Sequence, residues 1–140
     1  GAKPYFNHLV VEEKDLVYGT FHELDINGNH LEGGITNQAS VSLDFVKDKK
    51  LKKDKNSYLL DVRTDEEFED SHIPDSKLLN IKDPQLFMDG IQKLDKNKNY
   101  YVYCHSGVRS VQACQIMKSF GFENLYNLLG GISEWTGQKQ

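Results

Sequence analysis

Tyr100-Tyr-Val-Tyr-Cys-His-Ser-Gly-Val-Arg-Ser110 is the stretch from which the fold of this chain can be read. Tyr100 to Tyr103 is aromatic and β-branched, the composition of a buried strand. From Arg109 to Phe120 apolar residues recur at helical spacing through Val111, Cys114 and Met117. Cys104 therefore stands where a strand ends and a helix is about to begin. A loop in that position can aim backbone N–H groups at a sulfur, and the helix adds the positive end of its dipole. Both favour a thiolate over a thiol. Arg109 adds a permanent cation, and Gly107 supplies the free backbone dihedrals that a tight cradle needs. The small side chains of Ser106 and Gly107 leave the mouth of the loop open.

Outward from this loop, strand and helix patterns alternate. Ser57 to Arg63 is a short apolar run ending in charge, a strand whose last residues, Asp61 and Arg63, fall at the same end as Cys104. Thr64-Asp-Glu-Glu67 has capping-box spacing and predicts a helix to about Asp70. Ser71 to Ser76 reads as a turn and Lys77 to Ile81 as a strand. Asp83-Pro84 predicts an N-cap and first helical residue, with a helix through about Leu94. Past the helix after the loop, Gly121 suits a helix C-terminus. Asn124 to Leu129 reads as a last strand, and Gly130-Gly131 as a turn into a short helix carrying Trp135. Short connections between alternating elements predict an α/β sandwich with a mainly parallel sheet flanked by helices, whose ligand site lies beyond the carboxyl ends of the strands.

The upstream third is harder to read. Leu16 to Ile26, the Asn27-Gly28 turn and Asn29 to Glu32 predict a β-hairpin. Residues 1–34 are accordingly expected to be an N-terminal extension of unknown role, and residues 35–140 the main domain. Asp25 to Thr36 departs from a calcium loop, having His30 where glycine is needed and Thr36 where glutamate is needed. A short helix is expected within Thr36 to Val46. Lys47 to Lys55, with six lysines and two aspartates, reads as a solvated segment.

At 140 residues and a formal net charge of −4, the chain carries no electrostatic footprint for nucleic acid. No run approaches the roughly 18 apolar residues of a membrane span. Two cysteines do not make a disulfide framework, so a reducing, cytoplasmic setting is expected; Cys114 reads as a small apolar core residue. The chain opens on Gly1-Ala2 with no initiator methionine, so an upstream signal or anchor stays open. Neither histidines nor cysteines show metal-ligand spacing, and no metal or cofactor is expected.

Leu59-Leu-Asp-Val-Arg63, Glu67-Phe68, His72-Ile-Pro74, Tyr103-Cys-His-Ser-Gly-Val-Arg-Ser110, Gly121-Phe122, and Leu128-Leu-Gly-Gly-Ile132 with Trp135 together resemble a rhodanese domain, over roughly residues 36 to 137. The resemblance implies a rhodanese-like three-layer sandwich and a sulfurtransferase. In that reading Cys104 takes the outer sulfur of a donor such as thiosulfate and holds it as a persulfide, and a thiol or cyanide then removes it. Related cysteine phosphatases carry five residues between cysteine and arginine. Here His105, Ser106, Gly107 and Val108 intervene, a smaller cradle that suits one added sulfur better than a phosphoryl group.

The resemblance also suggests roles. Cys104 is the expected nucleophile, with His105, Ser106, Gly107 and Val108 forming the loop; His105 either orients a substrate or fills space. Arg109 either binds the anionic donor or stabilises the loop. Asp61 and Arg63 are expected to support the loop from behind, and His72 to be a turn histidine with its hydrogen bond satisfied. Trp135, Phe68 and Phe122 read as core. Two other readings keep the same loop: a persulfide carrier serving a protein acceptor, and a regulatory binding module without catalysis.

Overall fold

The run of apolar residues from Tyr100 to Tyr103 is buried on both faces, as a central strand requires. In the computed structural model, which describes residues 18–19, 21–24, 28–30 and 56–140, that run belongs to β4 (Asn99–Tyr103). The remaining strands are β1 (Phe21–Glu23), β2 (Ser57–Asp61), β3 (Lys77–Leu78) and β5 (Leu125–Leu128). The sheet order is β1-β5-β4-β2-β3. β2, β3, β4 and β5 run parallel, and β1 joins antiparallel at the β5 edge. Three α-helices are described, α1 (Asp65–Asp70), α2 (Pro84–Gln92) and α3 (Val108–Ser119), followed by a 3₁₀ turn at Gly131–Glu134.

Alternation along the strands divides the core in two. Leu60, Val62, Tyr100 and Val102 face α2 and α3, where Phe87, Ile91, Ala113, Cys114 and Met117 complete one apolar cluster. Leu59, Tyr101, Tyr103 and Leu128 face the other side, covered by Ile73, Ile132, Trp135 and Phe21. The second layer is thin, because α1 contributes no buried residue. Phe68, expected in the core, is half-buried and stacks on the His72 ring at 3.8 Å. Trp135 and Phe122 are core residues as expected.

The helix ends follow from local chemistry. Thr64 and Glu67 form a reciprocal capping box at α1, and the Asp83 side chain caps α2 with Pro84 in the first turn. α3 ends in a Schellman motif: Phe122 N–H donates to Met117 O at 3.1 Å, Gly121 N–H donates to Lys118 O at 3.0 Å, and Gly121 takes φ 97°. α2 stops at Gln92, two residues before the expected Leu94. β3 is shorter than expected, ending at Leu78, since only Lys77 and Leu78 have ladder partners on β2.

The described part of the N-terminal stretch joins the main sheet. The chain does turn back at Gly28, where φ is 84° and Leu24 bridges His30. Phe21–Glu23, however, is the edge strand of the main sheet and pairs with Tyr126–Leu128. The helix expected within Thr36 to Val46 and the lysine run at Lys47 to Lys55 lie outside the described residues. Among the described residues, no helix is long and apolar enough to cross a membrane.

Candidate active site

The parallel register places Asp61 beside Tyr103, so β2 and β4 end together. Cys104 follows immediately and is fully buried. Gly107 caps α3 in the left-handed region, with φ 101°, which a side chain would disfavour. That turn brings the Gly107 N–H to 3.0 Å from Cys104 Sγ. The Ser110 hydroxyl, one turn into α3, donates to the same sulfur at 3.4 Å. Cys104 Sγ thus accepts two hydrogen bonds at the positive end of a helix, surroundings that stabilise charge on sulfur.

The loop is held against the segment after β5. Ile132 N–H donates to Cys104 O at 2.9 Å, and Ser133 N–H to His105 O at 3.1 Å. Gly131, at φ 65°, permits this approach: a Cβ there would lie 2.3 Å from His105 O. His105, Ser106 and Val108 are exposed at the rim. A groove of about 380 Å³ runs beside the loop, lined by His30, Ser106, Gly107, Val108, Asn127 and Gly130 among others. Asn127 is buried, with its amide nitrogen 3.0 Å from His30 Nε2, while its Oδ1 has no partner among the described residues.

Two ion pairs flank the loop. Arg63 Nε and Nη2 grip both oxygens of the buried Asp61 carboxylate at 2.7–3.0 Å, and Nη2 also donates to Ser71 O at 2.6 Å. Its guanidinium lies 5.6 Å from the centre of the Tyr103 ring, directly before Cys104. Burial works against the Arg63 charge, but the Asp61 hydrogen bond and charge outweigh it and raise the pKa. The Tyr103 hydroxyl in turn receives Ile73 N–H at 3.1 Å and contacts Ser76 Oγ at 2.9 Å. Burial, and then the Asp61 charge, push that phenol well up.

The second pair joins Arg109 to Glu67. Nη1 donates to Oε1 at 2.7 Å and Nη2 to Oε2 at 2.8 Å, a bidentate contact between residues 42 positions apart. Oε1 also accepts from Thr64 N and Oγ1 within the α1 cap, at 3.2 and 3.1 Å. These partners, Arg109 foremost, hold the Glu67 carboxyl at about 2. The Glu67 hydrogen bonds likewise raise the Arg109 pKa.

The sequence-based candidates thus gather at one place. Cys104, Gly107 and Arg109 belong to a single loop and helix start, with Asp61 and Arg63 behind it. His72 lies apart as expected, with Nδ1 2.8 Å from Phe68 O. Three residues escaped the sequence reading. Ser110 and Gly131 carry motif positions without an obvious task, and Glu67 was legible only as a cap. Its capping-box role was the visible signal, while its reach to Arg109 needed the tertiary contact.

The profile of the family described as "Rhodanese-like domain" matches residues 45–138. The chain belongs to the rhodanese-like family. A Staphylococcus aureus rhodanese-like domain protein of known crystal structure superposes with a TM-score of 0.56 at 32% identity, covering 69% of this chain and 89% of that one. Among curated relatives, a protein of Bacillus subtilis named as a candidate sulfur carrier, YrkF, is 32% identical over 119 residues. That alignment covers 85% of this rhodanese-like chain and 62% of YrkF, so the chain spans less than two thirds of that relative. The thiosulfate sulfurtransferase GlpE of Coxiella burnetii is 32% identical over 85 residues, covering 61% of this chain and 77% of the relative. The mainly parallel sheet is thus that of a rhodanese-like domain, and β1 (Phe21–Glu23) lies outside the residues that the family profile matches.

Proposed function

We propose that this chain is a sulfurtransferase that carries sulfane sulfur on Cys104. The observation behind the reading is the sulfur itself, which accepts the Gly107 N–H and the Ser110 hydroxyl where β4 gives way to α3. In the first half-reaction the Cys104 thiolate attacks the outer sulfur of a donor such as thiosulfate. A Cys104 Sγ–S bond forms, the donor S–S bond breaks, and sulfite leaves with its electron pair. In the second, a thiolate or cyanide attacks the sulfane sulfur, and the pair of the Sγ–S bond returns to Cys104. Two half-reactions through one covalent intermediate predict ping-pong kinetics.

Each neighbour has a task in this scheme. Gly107 and Ser110 stabilise charge on Sγ before and after transfer. The Asp61–Arg63 pair and Tyr103 fix the end of β4 from behind. Arg109 anchors the loop to α1 through Glu67, which favours the loop-stabilising alternative for this residue over donor binding. His105, Ser106 and Val108 form the rim that incoming molecules meet. Cys104 is covered, so side chains of the rim move when a donor enters.

Intact mass after thiosulfate treatment tests the proposal. Wild type gains one sulfur atom and Cys104→Ser gains none; a wild type that gains none from thiosulfate or from a persulfide donor sinks the reading. A second reading, a persulfide carrier for a protein acceptor, draws on the likeness to YrkF across 85% of the chain. Steady-state transfer to cyanide separates the two, since a carrier loads sulfur yet turns over slowly with small acceptors.

A further inference from the structure

Thiosulfate and a hydropersulfide differ in the charge they bring to Cys104. A thiolate meeting thiosulfate assembles three negative charges, conserved as a persulfide anion and sulfite dianion. With an alkyl hydropersulfide, RSSH, the thiolate attacks the terminal sulfur and the S–S bond breaks towards R. The proton stays on the transferred sulfur, and RS⁻ leaves, so the reacting groups carry one negative charge throughout. A buried sulfur makes that difference matter, because like charges repel more strongly away from water.

Among the described residues, the two arginines beside the loop are each paired with a carboxylate. Arg109, the cation that opens α3, has its two terminal nitrogens on the two oxygens of Glu67. Arg63 is likewise matched by Asp61. These four residues therefore sum to zero, and the first turn of α1 adds exposed Asp65 and Glu66 beside Glu67. The fork of Arg109 that would grip an oxyanion is turned to a protein carboxylate, which is itself fixed by Thr64.

We infer that Glu67 is a specificity-determining residue, which by occupying Arg109 disfavours dianionic donors such as thiosulfate and tunes the loop to weakly charged hydropersulfides. The inference rests on the sulfurtransferase reading above. Glu67 touches no substrate in this account and acts through Arg109 as a positioning residue.

The decisive variant is Glu67→Gln, since glutamine also serves in a capping box and keeps the shape of the side chain. Loading of Cys104 is followed by rapid quench and intact mass, with thiosulfate and with the hydropersulfide of 2-mercaptoethanol as donors. In wild type the second-order loading constant is larger for the hydropersulfide. Glu67→Gln raises the thiosulfate constant about five- to tenfold at low ionic strength, and leaves the hydropersulfide constant within about twofold. A merely structural Glu67 would slow both donors alike, and that result, or no change in their ratio, overturns the inference. Wild type alone supplies a second measurement: its thiosulfate constant does not fall as salt is added, whereas a steep fall would mean that Arg109 already serves the dianion. If wild type takes sulfur from neither donor, the sulfurtransferase reading falls and this inference with it; if it loads but the donor ratio ignores Glu67, the inference alone falls.

Discussion

Cys104 and Cys114 are both free, both buried, and members of the same apolar cluster, yet their surroundings differ. Cys104 ends a strand and accepts hydrogen bonds from Gly107 and Ser110. Cys114 lies in the middle of α3 near Leu24 and Leu125, and burial pushes its thiol far up. Burial is common to both thiols. What differs is that the loop turns hydrogen-bond donors toward the sulfur of Cys104.

The largest expected effect separates the two thiols directly. Cys104→Ser should lower sulfur transfer by roughly a thousandfold or more, while Cys114→Ser leaves the transfer rate essentially unchanged. Initial rates with a common donor and acceptor check this, and an inactive but folded Cys114→Ser would erase the contrast. Next comes the support behind Cys104. Asp61→Ala leaves the Arg63 charge buried without its partner and should cost about 3–5 kcal/mol, read from the urea midpoint.

Stability measurements on Gly131→Ala and on Cys114→Ser sharpen the comparison. Gly131→Ala puts a Cβ against the carbonyls of Cys104 and His105 at a positive φ, and should cost about 1–3 kcal/mol. Because the clash falls on the loop, sulfur loading should slow as well. Cys114→Ser buries a hydroxyl among apolar side chains, at about 1–3 kcal/mol, with the chemistry untouched. Denaturation and loading rates measured on both proteins distinguish a loop effect from a core effect.

The smallest effect is a pH dependence at the rim. The Glu67 carboxyl is lowered from 4.5 to about 2 by Arg109 and the α1 cap, so folding favours its ionised form. That contribution is present in full above about pH 4.5 and disappears as pH falls through about 2. The stability difference between wild type and Glu67→Gln should therefore shrink over that acid range. A difference that stays constant from pH 5 down to 2 would contradict the assignment.

Much of this was readable from residues close together in the chain. Thr64 and Glu67 announce α1, Asp83 and Pro84 announce α2, and Gly121 closes α3, because each of these signals acts within about one helical turn. Cys104 was also legible, since its place between an aromatic β-type run and a helical pattern is a local property. The β3 ending was less so, because a strand at a sheet edge extends only as far as its neighbour offers partners. Phe68 misled for a related reason: α1 is short and covers little, and the ring rests on His72 instead of in the core.

By itself the sequence determined the order of strands and helices, the caps that delimit them, and the place of Cys104 between a strand and a helix, all consequences of period and local hydrogen bonding. The tertiary structure alone decided that Phe21–Glu23 pairs with β5, that Gly131 lies against the loop carbonyls, and that Arg109 is claimed by Glu67. Those contacts join residues far apart in the chain. No local propensity specifies them, and they exist only once the sheet has brought its strand ends together.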